Sequence, residues 1–305
     1  MDALRLSYSF IQEFQTCPKK TLYNRIKGIR PKKEPSYYIL GNMVHAGIEA
    51  WMMDLNVQKA IDNVCEKVDI RPMNQKERTD FQIDRSIAIG ILDAYRIRYS
   101  TDKTRFGKLQ TEKRIDFTIS KDPYIYYRSV IDMLVQDEDG KWWVYDHKTA
   151  GQINDNYLQQ ASISNQTLGY LYAARKFLGE WPKGIVYNII LKPSIRPRKK
   201  RNPETLDQFC SRLYQEYTTN PDKYFYREDI LTNRKAVKVW LQETMLHAGI
   251  IFDNIQNTAL GDLVWTKNTG ACFNYSKSCQ YLPICTSGKV NKMLYTVEKQ
   301  TTLSV

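Results

Sequence analysis

Two aspartates and a lysine are the residues of this chain best placed by type and spacing to do chemistry. They fall between Arg128 and Lys148, a stretch that reads as two β-strands around an Asp-Gly turn, with Asp132 on the first strand and Asp146 and Lys148 on the second. If Glu138-Asp139-Gly140 forms a three-residue hairpin loop, with Gly140 in the left-handed conformation, Asp137 pairs with Lys141. Counting back along both strands then sets Asp132 directly opposite Asp146, with Cβ atoms roughly 5 Å apart. Lys148 shares that face two residues further on. Two carboxylates held together without a cation repel each other, so the pair invites a divalent ion. A slip of one residue in the register would separate them. The same acids could form an acidic surface ladder. However, Val130, Met133, Val135, Trp142 and Val144 put apolar residues on both faces, as in interior strands, where carboxylates rarely lack a partner.

Other residues fit around this pair. Glu112 precedes the hairpin on a further strand and adds an oxygen near the site, unless it is simply a solvated strand residue. His45 lies in Gly41-x3-His45 on a helical face with Ile48 and Met52. It is either a satisfied core histidine or an imidazole ligand suited to Mn²⁺. Gln166 and Tyr170 stand one helical turn apart, on a face expected to carry Ile163, Ala173 and Phe177, where an amide and a phenol need partners if buried. Hard oxygen ligands at Asp132 and Asp146 suit Mg²⁺ or Mn²⁺, and Lys148 would orient water or meet charge developing on a phosphate. Of the six cysteines, Cys65 and Cys210 sit alone in helical patterns. Cys272, Cys279 and Cys285 cluster in one turn-rich segment, and Cys17 is the best fourth candidate. Spacing alone leaves zinc, an iron–sulfur cluster and unligated thiols open.

The elements that must position these residues alternate in type. Helices are expected from Ser9, after Pro18, over 41–55, 60–67 and 75–99; strands over 107–119, 124–136 and 141–147; one helix over 157–178; and a strand over 184–192. Helices over 205–216 and 233–256 follow, and 265–285 reads as irregular. Three strands, a helix and another strand imply a mixed α/β sheet with a parallel crossover. Residues 192–201 hold six Lys or Arg, including Arg196, Arg198, Lys199, Lys200 and Arg201, and read as a surface loop able to contact phosphate.

Across 305 residues, 45 Lys and Arg against 33 Asp and Glu leave a formal charge of +12, which points to a polyanionic partner such as nucleic acid. The 21 tyrosines suit stacking on unpaired bases, although many belong to the core. No apolar run approaches a membrane span and the first residues lack a signal peptide's apolar core, so a soluble, cytoplasmic protein with reduced cysteines is expected.

Taken together, Cys17-Pro18, Gly41-x3-His45, Asp132, Asp146-His147-Lys148, Gln166-x3-Tyr170 and the terminal cysteine triplet resemble the PD-(D/E)XK nuclease superfamily, in its RecB/AddB-type iron–sulfur branch. That branch includes CRISPR-associated iron–sulfur exonucleases and bacteriophage proteins. The resemblance covers nearly the whole chain. It implies a restriction-endonuclease-like α/β core with a central mixed β-sheet flanked by helices, a helical elaboration, and an iron–sulfur clasp joining the two ends. The whole, 1–305, would be one nuclease domain: a helical region (1–106), a catalytic core (107–192), a basic loop and helices (193–264) and a cysteine segment (265–305). It implies a [4Fe–4S] cluster on Cys17, Cys272, Cys279 and Cys285, and Mg²⁺ or Mn²⁺ held by His45, Asp132, Asp146 and the carbonyl of His147. Lys148 would be the catalytic lysine, with Gln166 and Tyr170 positioning DNA. The substrate would be single-stranded DNA or duplex ends, in a bacterial cell or phage-infected host. The gap between Cys272 and Cys279 is longer than the two-residue spacing common in relatives. No Gly-x4-Gly-Lys-Ser/Thr loop is present, so unwinding would need a helicase or recombination partner; self-association as a homo-oligomer is left open. The competing reading is a non-catalytic DNA-binding or recombination accessory protein that keeps the fold.

Overall fold

The structure is a computed structural model and describes residues 4–32, 36–200, 202–274 and 277–298. Strand β1 (Leu4–Leu6) leads into α1 (Tyr8–Thr16) and the short α2 (Pro18–Thr21), which runs into a π-helical turn over Leu22–Ile26. Strand β2 (Ile29–Pro31) precedes α3 (Ser36–Met52), α4 (Val57–Glu66), α5 (Gln75–Arg98) and α6 (Asp102–Arg105). The central strands are β3 (Lys108–Lys121), β4 (Tyr124–Gln136) and β5 (Trp142–Ala150). Helices α7 (Asp155–Ile163) and α8 (Asn165–Leu178) lead to β6 (Gly184–Leu191). Then come α9 (Leu206–Thr219), α10 (Pro221–Tyr224), β7 (Phe225–Leu231) and α11 (Arg234–Gln256). The last part holds β8 (Phe273–Asn274), β9 (Lys277–Ser278), α12 (Leu282–Ser287) and β10 (Tyr295–Val297).

Six strands form one mixed sheet. Its path is β1-β4-β5-β6-β7, and β3 lies along the other edge of β4. Strands β5 and β6 are parallel, joined by the expected helical crossover, whereas β4–β5 and β6–β7 are antiparallel. Strand β4 is long enough to take two partners on one edge: β1, in parallel, against Ile125–Tyr127, and β5 against Met133–Gln136. Between those contacts lies Asp132. The sheet is covered on both faces. One core gathers Ile131, Leu134, Val144 and Ile189 with residues of α1, α8 and α11; the other gathers Met133, Val135, Tyr145 and Ile190 with α3, α5 and α9. Ile131 and Met133 therefore face opposite cores although two residues apart, so β4 turns over at Asp132. The expectation that Val130 is an interior residue is corrected here: it is exposed on that side of the strand.

Local chemistry explains most element ends. Ser7, not Ser9, caps α1 by accepting from Phe10 N at 3.3 Å. Asn74 and Glu77 form a reciprocal capping box that starts α5. Gly179 ends α8 at φ 77°, the left-handed conformation glycine takes at least cost. The helix expected over 157–178 is two helices. Ser164 is extended (φ −60°, ψ 130°) and its Oγ accepts from Gln166 N, so it ends α7 and caps α8. A cap of this kind contributes about 1 kcal/mol. The break also overturns the expected continuous apolar stripe, leaving Ile163 75 % exposed and Phe177 partly exposed. Strands β1, β2, β7, β8, β9 and β10 were not expected. Five are only two or three residues long, and β7 (Phe-Tyr-Arg-Glu-Asp-Ile-Leu) is too charged in its middle to read as a strand.

Segments far apart in the sequence meet beside the sheet. Strands β2 and β10 pair antiparallel, Ile29 opposite Val297. The Tyr281 hydroxyl donates to Ile29 O at 2.9 Å, and Asn268 Nδ2 donates to Thr16 O at 2.9 Å. Tyr23, Ile29, Tyr281, Ile284 and Tyr295 form a third, small core, against which Cys279 and Cys285 pack.

Candidate active site

The hairpin register is the one expected. Met133 pairs with Tyr145 and Gln136 with Trp142, while Asp137 N donates to Lys141 O at 2.9 Å across a loop with Gly140 at φ 72°. One further step sets Asp132 opposite Asp146. There the strands fork: the β4–β5 ladder ends at Met133 and Tyr145, whereas β5 continues beside β6 to Ala150. With no backbone partner across the fork, His147 N donates to Asp132 Oδ2 at 2.8 Å instead. The carboxylates occupy the opening.

Asp146 is 1 % exposed, and burial raises its carboxyl pKa, with the Asp132 charge adding to the rise and Lys148 opposing it. Lys148 Nζ lies 2.9 Å from Asp146 Oδ1 and 2.8 Å from Oδ2. Burial works against the ammonium, yet Asp146 raises its pKa overall. The same ammonium donates to Gln166 Oε1 at 2.8 Å, and Gln166 Nε2 donates to the Tyr170 hydroxyl at 2.9 Å. The amide and phenol thus form a chain that ends on the lysine, with Ser164 fixing the first turn that carries Gln166. His45, on α3, places Nδ1 3.4 Å from Asp132 Oδ2.

Glu112 lies on β3 opposite Asp132 of β4, at the step skipped between the pairs Thr111–Met133 and Lys113–Ile131. Its φ of 44° is left-handed, uncommon for a residue with a side chain. Burial, then the charges of Asp132 and Glu49, push its pKa up to about 7. Glu49 was not foreseen, although its position one turn after His45 on α3 was a readable signal. The Thr111 hydroxyl donates to it at 3.2 Å. Tyr8, also unforeseen, senses both Lys148 and Asp146 from the start of α1.

Whether a divalent cation suits this place can be judged from the donors. Asp146 Oδ2 is buried and accepts no hydrogen bond of good geometry, despite the nearby ammonium. Two facing carboxylates and an imidazole are a hard donor set for such an ion. The donor types suit such an ion, but among the described residues no group of three or more His, Cys, Asp or Glu side chains is arranged to hold one.

The family model of the PD-(D/E)XK nuclease superfamily matches residues 5–286. The chain belongs to the PD-(D/E)XK nuclease superfamily. A solved structure described as "Putative exonuclease" from Eubacterium rectale is 12 % identical, at TM-score 0.47, covering 94 % of this chain and 89 % of that one. Another, described as SSO0001, is 16 % identical at TM-score 0.26 and covers 59 % and 73 %. A search of curated proteins returned no match.

Two further groups of residues in this superfamily member stand apart from the carboxylates. All six thiols are free, and Cys17, Cys279 and Cys285 are near enough that the first two add to the burial that raises the Cys285 pKa. Cys279 N donates to Cys272 O at 2.7 Å, but among the described residues the four thiols do not stand together as a metal-holding group. Of the basic loop, Arg198 pairs with Glu204 at 3.7 Å, and the charge of Arg196 acts on Asp84. Lys199 and Lys200 are exposed, and Arg201 lies outside the described residues. No helix among the described residues is long and apolar enough to cross a membrane.

Proposed function

We propose that this chain is a Mg²⁺- or Mn²⁺-dependent deoxyribonuclease, an exonuclease on single-stranded DNA or DNA ends in recombination, repair or processing within the cytoplasm. The observation that carries the reading is Lys148, whose ammonium bridges buried Asp146 and Gln166 beside a carboxylate held in the strand fork.

His45, Asp132, Asp146 and the His147 carbonyl would hold the cation, which supplies Lewis-acid polarisation of water and neutralises phosphate oxygens. Asp146 keeps Lys148 charged, so its ammonium can orient the attacking water and meet the charge that builds on the scissile phosphate. Gln166 takes one of the lysine's hydrogen bonds, which restricts where the ammonium points, and Tyr170 in turn orients the amide. Glu112 adds a carboxylate on the far side of Asp132. Expulsion of the 3′-oxygen, usual for attack at phosphorus in this superfamily, leaves 5′-phosphates. Arg196, Arg198, Lys199, Lys200 and Arg201 would supply charge for the DNA backbone. Cys17, Cys272, Cys279 and Cys285 are proposed to hold a [4Fe–4S] cluster, a reading supported by the pairing of β2 with β10 and by the packing of Cys279 and Cys285 against the small core beside it. A helicase or recombination partner would supply unwinding.

End-labelled single- and double-stranded DNA, incubated with Mg²⁺ or Mn²⁺, tests the reading. Wild type should release labelled nucleotides, and folded Asp146→Ala and Lys148→Ala variants should not. Equal cleavage by either variant removes the site assignment. Tight, salt-sensitive binding of single strands with no turnover by wild type would establish the accessory role instead.

A further inference from the structure

Behind the carboxylates, on the other face of the sheet, lies a buried chain of polar side chains to which none of the proposed catalytic roles is given. His147 is 4 % exposed and Asn188, on the adjacent strand β6, is fully buried. Asn188 Nδ2 lies 2.8 Å from His147 Nδ1 and 2.6 Å from the Tyr95 hydroxyl. Its Oδ1 accepts from Arg227 Nε at 3.1 Å. Arg227, from β7, also grips Asp102 through both terminal nitrogens, at 2.9 and 2.5 Å, and Asp102 is itself buried. Arginine has only donors, so the Asn188 oxygen must face it and the amide N–H groups must face Tyr95 and His147. His147 Nδ1 can then only accept, which leaves its ring neutral with the proton on Nε2.

His147 touches both upstream members of the proposed cation site. Its main-chain N–H holds Asp132, and its ring meets His45 edge to face, with centroids 5.9 Å apart and planes at 89°. An amide inside an apolar strand is costly unless it is hydrogen-bonded, and Asn188 is bonded at both its oxygen and its nitrogen.

We propose that Asn188, anchored by Arg227 and Asp102, is a positioning residue that fixes the His147 ring in its Nε2–H form and thereby sets His45 and Asp132 for the cation. The inference rests on the proposed cation site. Outer partners of this kind typically change metal affinity on the order of 10–100-fold.

The test uses the full chain, metal-free and labelled with ¹⁵N-histidine. Only three histidines are present, and His45→Gln and His247→Gln variants assign them. Two-bond ¹H–¹⁵N correlations should show His147 as Nε2–H in wild type and as Nδ1–H in Asn188→Asp, which keeps the acceptor for Arg227 but removes the donor. Free Mn²⁺ measured by EPR should show affinity on the order of tenfold weaker in Asn188→Asp and in Asn188→Ala, which covers the case where the first does not fold. A wild-type ring protonated at Nδ1, or exchanging between forms, overturns the proposal without any variant. Asp146→Asn separates the two readings. If wild type binds Mn²⁺ no better than Asp146→Asn, the cation site fails and this inference with it. If Asp146→Asn loses the ion while the Asn188 variants bind like wild type, the positioning role alone is overturned. A merely structural amide would lower thermal stability and leave tautomer and affinity unchanged.

Discussion

The main-chain N–H of His147 donates to the side chain of Asp132, 2.8 Å away, where an antiparallel ladder would have supplied a carbonyl. The bond marks where β5 leaves β4, and it holds one carboxylate at the mouth of the fork while the other stays buried. A carboxylate in that opening has one oxygen satisfied by protein and remains close to His45. The relationship makes the site sensitive to single charges, and four outcomes follow from it and its surroundings.

Removing the lysine strands a buried charge. Lys148→Met should destabilise the metal-free protein by about 2–4 kcal/mol, because Asp146 loses the partner that offsets its desolvation. Mn²⁺ should restore most of the melting temperature without restoring DNA cleavage. Thermal melts with EDTA and with Mn²⁺, beside the cleavage assay, check both halves; recovery of cleavage by the metal would refute the lysine's role.

Gln166→Leu tests orientation separately from charge. The lysine keeps Asp146 but loses its second acceptor, and Tyr170 loses a donor. Cleavage should fall on the order of tenfold with stability changed by about 1 kcal/mol. Tyr170→Phe, one bond further away, should lose less. A larger loss in Tyr170→Phe than in Gln166→Leu would contradict the order of the chain.

Glu112 gives a pH signature. Its folded pKa of about 7 lies above its unfolded value, so the folded state binds the proton more tightly. The ionised carboxylate therefore costs stability that appears as pH rises from about 4.5 through 7 and is fully present above that. In EDTA, Glu112→Gln should be more stable than wild type at pH 8, by about 1–2 kcal/mol after allowing for solvent screening of this half-exposed group, and equal to it near pH 4.5. Denaturant midpoints at the two pH values decide it; an equal gap at both would show that the charge is not the cause.

The clasp is open to metal analysis. Protein purified without oxygen should be brown and contain iron, and Cys17→Ser should lose both colour and thermal stability. Colourless, iron-free wild type sinks the cluster, and bound zinc would indicate a structural staple in its place.

The hairpin and its acid pair were legible because alternation and turn chemistry are local rules: Asp-Gly at 139–140 fixed the loop, and the loop fixed the register. The helices were legible by periodicity, except where Ser164 interrupts a pattern that apolar spacing alone carries straight across. The fork was not legible. It depends on β1 taking one end of β4 and β6 drawing β5 away, and both are pairings between distant segments. Glu49 was within reach as the residue one turn beyond His45. Asn188 was visible only as an oddity among apolar neighbours, since its partners come from α5 and β7. The charge run at 192–201 suggested free cations, whereas Arg198 already faces Glu204, an acid whose approach needs the loop's fold.

Strand β10 pairs with β2 across nearly the full length of the chain. These two strands lie far apart in sequence, whereas β3, β4 and β5 follow one another directly. Folding thus has an order built into it: the hairpins of the catalytic sheet need only short loops to close, whereas the segment bearing Cys17 must wait for a distant partner.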